Sequence, residues 1–411
     1  MKVALIGNMN NNNFSILRYL RDLGVDAHLL LFRNDGTGSL KHFAVENDTW
    51  NIDKWKPFIH RLDLDNGVTS LIPYKNTYKT ISERERLFNL LKEYDYLIGS
   101  GISPALCDKF GLKLDIFYPY ATLVEFVGTF PNSRMPKYIS GLLRWYVKYK
   151  QIKGLKNTKN VLIPDNGQGK EILSQFGVES KLMHIPMVYN GEKLNNIQIP
   201  NYLEDILNEF EEADINIFSH ARHLWINKEK RPDIEWDSIN KNNNWLIEAL
   251  NVLKKSNPEI KIRLYLAKYG PDINETIELI NKYGLVENIV WFSKLKRREL
   301  IYLISKSDIC VGEFVVKKGA TWGGTLWEVL SVGKPALQTL NFDSEDYLDL
   351  FGHEVPPILD VKDHLDIVNH LKEFHNDKKK FIQLGNEAKN WFDKNNGKNL
   401  VLKWLEVLKK R

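Results

Sequence analysis

Cysteine is scarce in this chain. Two stand in 411 residues, Cys107 and Cys310, far apart and each within an apolar pattern. That excludes a disulfide framework and a cysteine-based zinc site, and it suits a reduced, cytoplasmic setting. Long apolar runs are missing as well. None approaches the ~20 residues that would span a bilayer. The N-terminus, MKVALIGNMNNNN, carries a lysine and a short apolar run but no signal-peptide apolar region or small-residue cleavage site. It is expected to open as a β-strand. No zinc-finger spacing or RNP-type aromatic strand is present, so nucleic acid is not an expected partner.

Acid is missing locally. The net charge is only +5, yet no Asp or Glu lies between Glu125 and Asp165. Arg134, Lys137, Arg144, Lys148, Lys150, Lys153, Lys156 and Lys159 all fall in that gap. Tyr138, Leu142, Leu143, Trp145, Tyr146 and Tyr149 are interleaved with them at helical spacing. Two readings stand side by side. One is a helix, within about 134–160, that meets an anionic membrane surface. The other is a solvated basic face over a core stripe.

What the chain does have is alternation. At this length two domains are the default. Short apolar runs at 2–7, 25–32, 94–99, 114–119, 160–164 and 181–186 read as strands, with helical patterns between several of them. Asn12 or Asn13 is the expected cap of the first helix, which Gly24 ends. The stretch from about 33 to 80 shows no clear pattern. A polar segment at 188–201 reads as a linker. The alternation then resumes, with strands at 215–220, 262–267, 288–293, 308–314, 335–340 and 356–361. Two helical patterns, about 364–376 and 380–410, close the chain. Such runs indicate mostly parallel sheets covered on both faces. The expected fold class is α/β, two doubly wound Rossmann-like domains facing each other across a cleft. Ligands of such sheets bind outside the C-terminal strand ends.

One stretch at such an end is GATWGGTLWEVLSVGKPAL, Gly319 to Leu337. Two explanations of it remain open. Thr325 is an N-cap with Glu328 at capping-box spacing. Alternatively, Gly323 and Gly324 let phosphates reach the free N–H groups of a helix start, and Glu328 accepts from ligand hydroxyls. Three further features sit at strand ends or helix starts of the same half: Arg222 in FSHARHLW, Lys241 in KNNNWLIEAL, and Gly270 in AKYGPD.

As an ordered set over about 215–340, these pieces, with SDICV, resemble the C-terminal domain of retaining GT-B glycosyltransferases, in particular glycosyltransferase family four. The resemblance implies that Arg222 and Lys241 hold a donor diphosphate and act catalytically. It implies that Gly323, Gly324 and Thr325 present amides to the distal phosphate, that Gly270 borders the donor, and that Glu328 takes the ribose hydroxyls. Two cations suit the charge of a diphosphate. The family's first Glu, a sugar contact, falls on Ala320, and Glu313 is the candidate substitute. In place of the family's His in the N-terminal half stand Tyr118, Tyr120 and Glu125, candidate acceptor or sugar contacts. His220 and His223 have a metal-like spacing without a carboxylate or cysteine beside them, and a strand-end structural role is the simpler reading. Asp63 and Asp65 form a lone DxD, read as a turn before Asn66-Gly67.

The resemblance implies a glycosyltransferase that takes a sugar from a nucleotide-diphosphate donor, and the basic aromatic segment suggests a glycan or lipid-linked acceptor in cell-envelope or polysaccharide biosynthesis. It would be retaining, need no metal or other cofactor, and work in the cytoplasm at the inner face of the membrane. Residues 1–190 would bind the acceptor and 191–384 the donor, with a final helix at about 385–411 packing back on the first domain. A nucleotide-sugar 2-epimerase and a catalytically impaired GT-B binding subunit are the alternatives.

Overall fold

The computed structural model describes residues 1–65, 81–119, 137–164, 167–195, 197–226, 235–320 and 322–409. The chain divides into two compact units, Met1–Gly191 with Asn396–Arg411, and Glu192–Asn395.

The first unit runs β1 (Lys2–Ile6), α1 (Asn12–Asp22), β2 (Asp26–Leu31), β3 (Ile59–Arg61), α2 (Ile81–Lys92), β4 (Tyr96–Gly99) and α3 (Ser103–Lys109). It continues with β5 (Ile116–Phe117), α4 (Lys137–Asn157), β6 (Asn160–Ile163), α5 (Gln168–Gln175) and β7 (Lys181–Leu182). Its parallel sheet has the order β3-β2-β1-β4-β5-β6-β7. The central strand shows why an unbroken apolar run was needed. Val3, Ala4, Leu5 and Ile6 are all buried, because helices cover both faces of the sheet.

Two expectations are corrected here. The first helix is capped by neither Asn12 nor Asn13. Asn11 precedes it without a side-chain cap, and Asn8 Oδ1 accepts from Phe14 N at 3.0 Å. Asn13 Nδ2 instead donates to the carbonyls of Ile6 and Gly7. The patternless stretch also contributes an edge strand, β3, paired with β2. Beside it Asp63 accepts from Arg33 Nε at 3.0 Å, a surface ion pair. Asn66 and Gly67 lie outside the described residues.

Within the first unit, α4 lies against α3. A methyl group on Gly154 would collide with the Pro104 carbonyl, so the two backbones touch. Val147, Gln151, Gly154 and Leu155 form the buried face, and Gln151 donates to Gly101 O at 2.8 Å. The opposite face carries Trp145, Tyr149, Lys153 and Lys156. Trp145 and Tyr149 are 64% and 49% exposed and stack at 5.7 Å. No helix among the described residues is long and apolar enough to cross a membrane.

The second unit runs α6 (Asn201–Asn208), β8 (Ile215–Ser219), α7 (Asn244–Ser256), β9 (Ile262–Ala267), α8 (Ile273–Lys282), β10 (Ile289–Phe292) and α9 (Arg297–Lys306). Then come β11 (Ile309–Val311), α10 (Gly324–Val332), β12 (Ala336–Gln338), α11 (Ser344–Phe351), β13 (Leu359–Asp360), α12 (His364–Asn376) and α13 (Lys378–Asn395). The sheet order is β10-β9-β8-β11-β12-β13, all parallel. The single closing helix expected from about 380 is in fact two. They part at Asn396–Gly397, where Gly397 has φ +50°, a turn that suits glycine. α13 stays with the second unit, while α14 (Gly397–Lys409) joins the core of the first through Leu400, Val401, Trp404, Leu405 and Leu408.

Candidate functional site

The second sheet reverses its strand order between β8 and β11. Crossovers leave these two strands toward opposite sides, so their C-terminal ends open a crevice. His220, Ala221 and Arg222 follow β8, and Gly312 and Glu313 follow β11.

The segment after β8 is held by backbone accounting. His223 N donates to Tyr269 O at 3.0 Å, and Asp272 N donates to His223 O at 3.2 Å. Trp225 N and Ile226 N share Asp272 Oδ2 at 2.7 and 2.8 Å. Gly270, expected at the donor, sits with φ +129° where any side chain would overlap the His223 backbone. Its requirement for glycine is therefore this close approach. The His223 ring is buried, with Nε2 against Ala267 O and Nδ1 against the Thr276 hydroxyl, both at 3.1 Å. Burial pushes its pKa down to about 4, so the ring is neutral at neutral pH. Arg222, by contrast, is exposed and forms no ion pair among the described residues.

Lys241 is brought in by the turn before α7. Its N–H donates to Leu224 O at 2.8 Å, and Leu224 N donates to Asn243 Oδ1 at 2.9 Å. Asn242 takes a left-handed φ of +43° and donates to Phe314 O at 2.7 Å. This ties the Lys241 turn to the segment after β11. The result is a buried ion pair, Lys241 Nζ to Glu313 Oε1 at 2.6 Å, with side chains only 11% and 12% exposed. Gln338 of β12 fixes the other partner, accepting from Glu313 N at 2.7 Å. A side chain on Gly312 would collide with that glutamine.

The glycine pair now separates into two roles. Gly323 has ordinary extended angles, φ −72° and ψ 167°, so no backbone constraint requires glycine there. A methyl group at Gly323 would lie 2.6 Å from Glu313 Cδ and Oε2, so the glycine makes room for the carboxylate. Gly324, the first helical residue, faces open space. The capping-box explanation is corrected. Gly323 is the N-cap, no side chain caps the helix, and no acid lies in its first turn. Thr325 is already inside α10, and its buried Oγ1 makes no hydrogen bond among the described residues. The helix start thus keeps donors without side-chain partners.

Glu328, one turn further, is buried. Its Oε2 accepts from His220 Nε2 at 2.6 Å, and its Oε1 accepts from Arg297 Nε at 2.8 Å. Burial alone would raise its pKa, but His220 and Arg297 outweigh burial and hold it below the ordinary carboxylate value. His220 is 5% exposed, and its Nδ1 is left without a partner among the described residues. Arg297, the first residue of α9, carried no sequence signal. Tyr269 reports how closely these charges gather. Burial first, then Glu328, raises its pKa to about 12, with Arg222 opposing and Glu313 adding to the rise.

Ala320 stands on a loop pinned by Asn341, whose Nδ2 donates to Ala320 O at 3.0 Å. Trp322 donates to Asn341 Oδ1 at 2.7 Å and stacks on Tyr347 at 5.3 Å. In the first unit the expectation for Tyr118 is corrected. It is 1% exposed, donates to Asn13 Oδ1 at 2.7 Å, and meets Trp404 edge-on, which makes it a core residue. Tyr120 and Glu125 lie outside the described residues.

No protein-family model matches the chain. No curated protein matches it. Solved structures do. HepE of Anabaena, in complex with UDP and glucose, is 13% identical over 100% of both chains, with a TM-score of 0.59. WaaG, a glycosyltransferase involved in lipopolysaccharide biosynthesis, is 14% identical over 100% of both chains, with a TM-score of 0.51. The UDP-GlcNAc 2-epimerase of Neisseria meningitidis, bound to UDP-GlcNAc, is 12% identical over 100% of both chains, with a TM-score of 0.56. At such identities the likeness is one of fold, and the fold of this chain is GT-B, two α/β units each built on a parallel sheet.

Proposed function

We propose that the chain is a glycosyltransferase that takes a sugar from a nucleotide-diphosphate donor bound in the second unit. The observation that carries this reading is the convergence at one strand-order reversal of Arg222, Lys241, Glu328 and an uncapped helix start. Two cations and free amides at a helix N-terminus suit a diphosphate. They also suit catalysis, since they stabilise the charge that builds on the leaving diphosphate. In this reading Arg222 and Lys241 supply the positive charge, and no metal or other cofactor is needed. Glu328, held ionised by His220 and Arg297, has lone pairs left for ribose hydroxyls. The transfer is read as retaining, by resemblance to family four, with a glycan or lipid-linked acceptor of the cell envelope bound by the first unit. The exposed face of α4 fits a chain working at an anionic membrane surface.

A nucleotide-sugar 2-epimerase is the second reading. It is favoured by the buried acid–histidine pair His220–Glu328 and by the epimerase among the similar folds.

Calorimetric titration of UDP, GDP, dTDP, ADP and CMP in EDTA tests the donor site. One nucleoside diphosphate should bind, and Arg222→Ala should weaken it by about tenfold or more, the loss of a charge-assisted contact. Absence of any binding refutes the reading. Nucleotide-sugar turnover without an acceptor, yielding an epimerised sugar, would favour the second reading.

A further inference from the structure

The Lys241–Glu313 pair has a feature that the donor-site reading does not explain. Its carboxylate does more than neutralise the lysine. It lies flat over Gly323, the residue before the open helix start. A negative group thus already occupies the place where a lysine and a glycine meet the N-terminus of α10. The pair is about nine-tenths buried, and both backbones are held, Glu313 N donating to Gln338 Oε1 and Lys241 N to Leu224 O. A phosphate approaching Lys241 would meet this carboxylate at contact distance, and two anions in a partly desolvated site repel strongly.

We propose that Glu313 is a built-in stand-in for the ligand's distal phosphate. In the free protein its carboxylate satisfies Lys241 over Gly323. On binding, the phosphate takes the lysine and the space over the glycine, and the Glu313 side chain moves aside. Neutralising Lys241 this way avoids leaving a buried cation unpaired in the empty site. It also makes Glu313 a competitor, so the protein selects ligands whose charge can displace a carboxylate. A nucleoside or a monoanionic ligand does not qualify. The inference rests on the reading of this site as a diphosphate site. It assigns Glu313 to the free state, distinct from a sugar contact in the bound one.

The test is calorimetry on the full chain, wild type and Glu313→Gln, with UDP, GDP, dTDP and ADP, the matching nucleosides, and the nucleotide sugar of whichever base binds. Glu313→Gln should bind the preferred diphosphate about tenfold tighter, the scale of removing a like charge from a close charged contact. Nucleoside binding should not change. A diphosphate affinity equal to or below wild type overturns the proposal. So does an unchanged diphosphate affinity with weakened nucleotide-sugar binding, which would make Glu313 a sugar contact. If Glu313→Gln fails to fold, Glu313→Asp decides. It keeps the charge on a shorter stem and should bind the diphosphate tighter by a smaller factor, whereas equal binding overturns the proposal. If wild type and variants alike bind no nucleotide, the diphosphate reading itself fails, and this inference with it.

Discussion

At the scale of single residues, the site is built on histidines and glycines whose reasons lie in their neighbours. His223 is the clearest case. Its ring is buried between Ala267 and Thr276, and its pKa falls from 6.5 to about 4. A base with a depressed folded-state pKa binds its proton more readily in the unfolded chain. Its contribution to stability is therefore complete above pH 6.5 and is lost as pH falls toward about 4. The shift corresponds to about 3 kcal/mol. Denaturant unfolding across pH 7 to 4 should show that loss in wild type, and His223→Gln should remove most of the slope in this window. An unchanged slope would mean the ring is protonated in the folded state. Gly270 and Gly323 teach the same lesson. Each was legible as a glycine near a strand or helix end. Their reasons, a backbone approach at His223 and a carboxylate at Glu313, depend on residues far away in sequence.

At the scale of elements, α4 shows how a pattern read as undecided resolves into two faces. The sequence showed cations and aromatics mixed, and two readings were open, a helix meeting an anionic membrane surface and a solvated basic face over a core stripe. The core stripe is present, and the outer face is exposed. Val147, Gln151, Gly154 and Leu155 pack on α3, while Trp145 and Tyr149 stack outward beside Lys153 and Lys156. Two large exposed rings with lysines on one line are suited to the headgroup layer of an anionic bilayer. Sedimentation with vesicles of phosphatidylglycerol and phosphatidylcholine should capture the wild type. The variant Trp145→Ser, Tyr149→Ser, Lys153→Gln, Lys156→Gln should lose about tenfold or more in affinity, since each lysine near an anionic surface contributes about 1 kcal/mol. Equal capture of both proteins would leave α4 a solvated face. The start of α10 is a second element-scale case. Thr325 followed three residues on by Glu328 is a sound capping signal, yet the N-cap is Gly323, two residues earlier, and Glu328 turns inward to His220 and Arg297. A carboxylate near a helix start reads the same in sequence whether it caps or is buried.

At the scale of the whole molecule, the C-terminal helix is where chain order and domain membership part. α14 ends the chain but completes the core of the first unit. Trp404 is 1% exposed, donates to His184 O, and packs edge-on against Tyr118. Trp404→Ala should destabilise the first unit by about 3–5 kcal/mol, the usual range for a buried tryptophan. Hydrogen exchange should show protection lost over β1, β4 and β5, with β8, β9 and β11 little changed, because the second unit has its own core. A uniform loss across both sheets would show that the units unfold as one.

The sequence by itself determined the α/β alternation, the position of nearly every strand and the break near residue 191, and it pointed to Arg222, Lys241, Gly323, Gly324 and Glu328 as candidates near strand ends and helix starts. It could do so because buried parallel strands must be continuously apolar, and because loops at their ends must carry the polar chemistry. The tertiary structure alone decided what those residues touch. Arg297 and His220 clamp Glu328 from another helix and from the loop after β8, Glu313 reaches Lys241 across a long stretch of chain, and Tyr118 turns into the core. Local pattern records the period of an element and the chemistry of its ends. Contacts between residues distant in sequence depend on sheet order and on which crossover covers which face, and no short stretch of sequence encodes these.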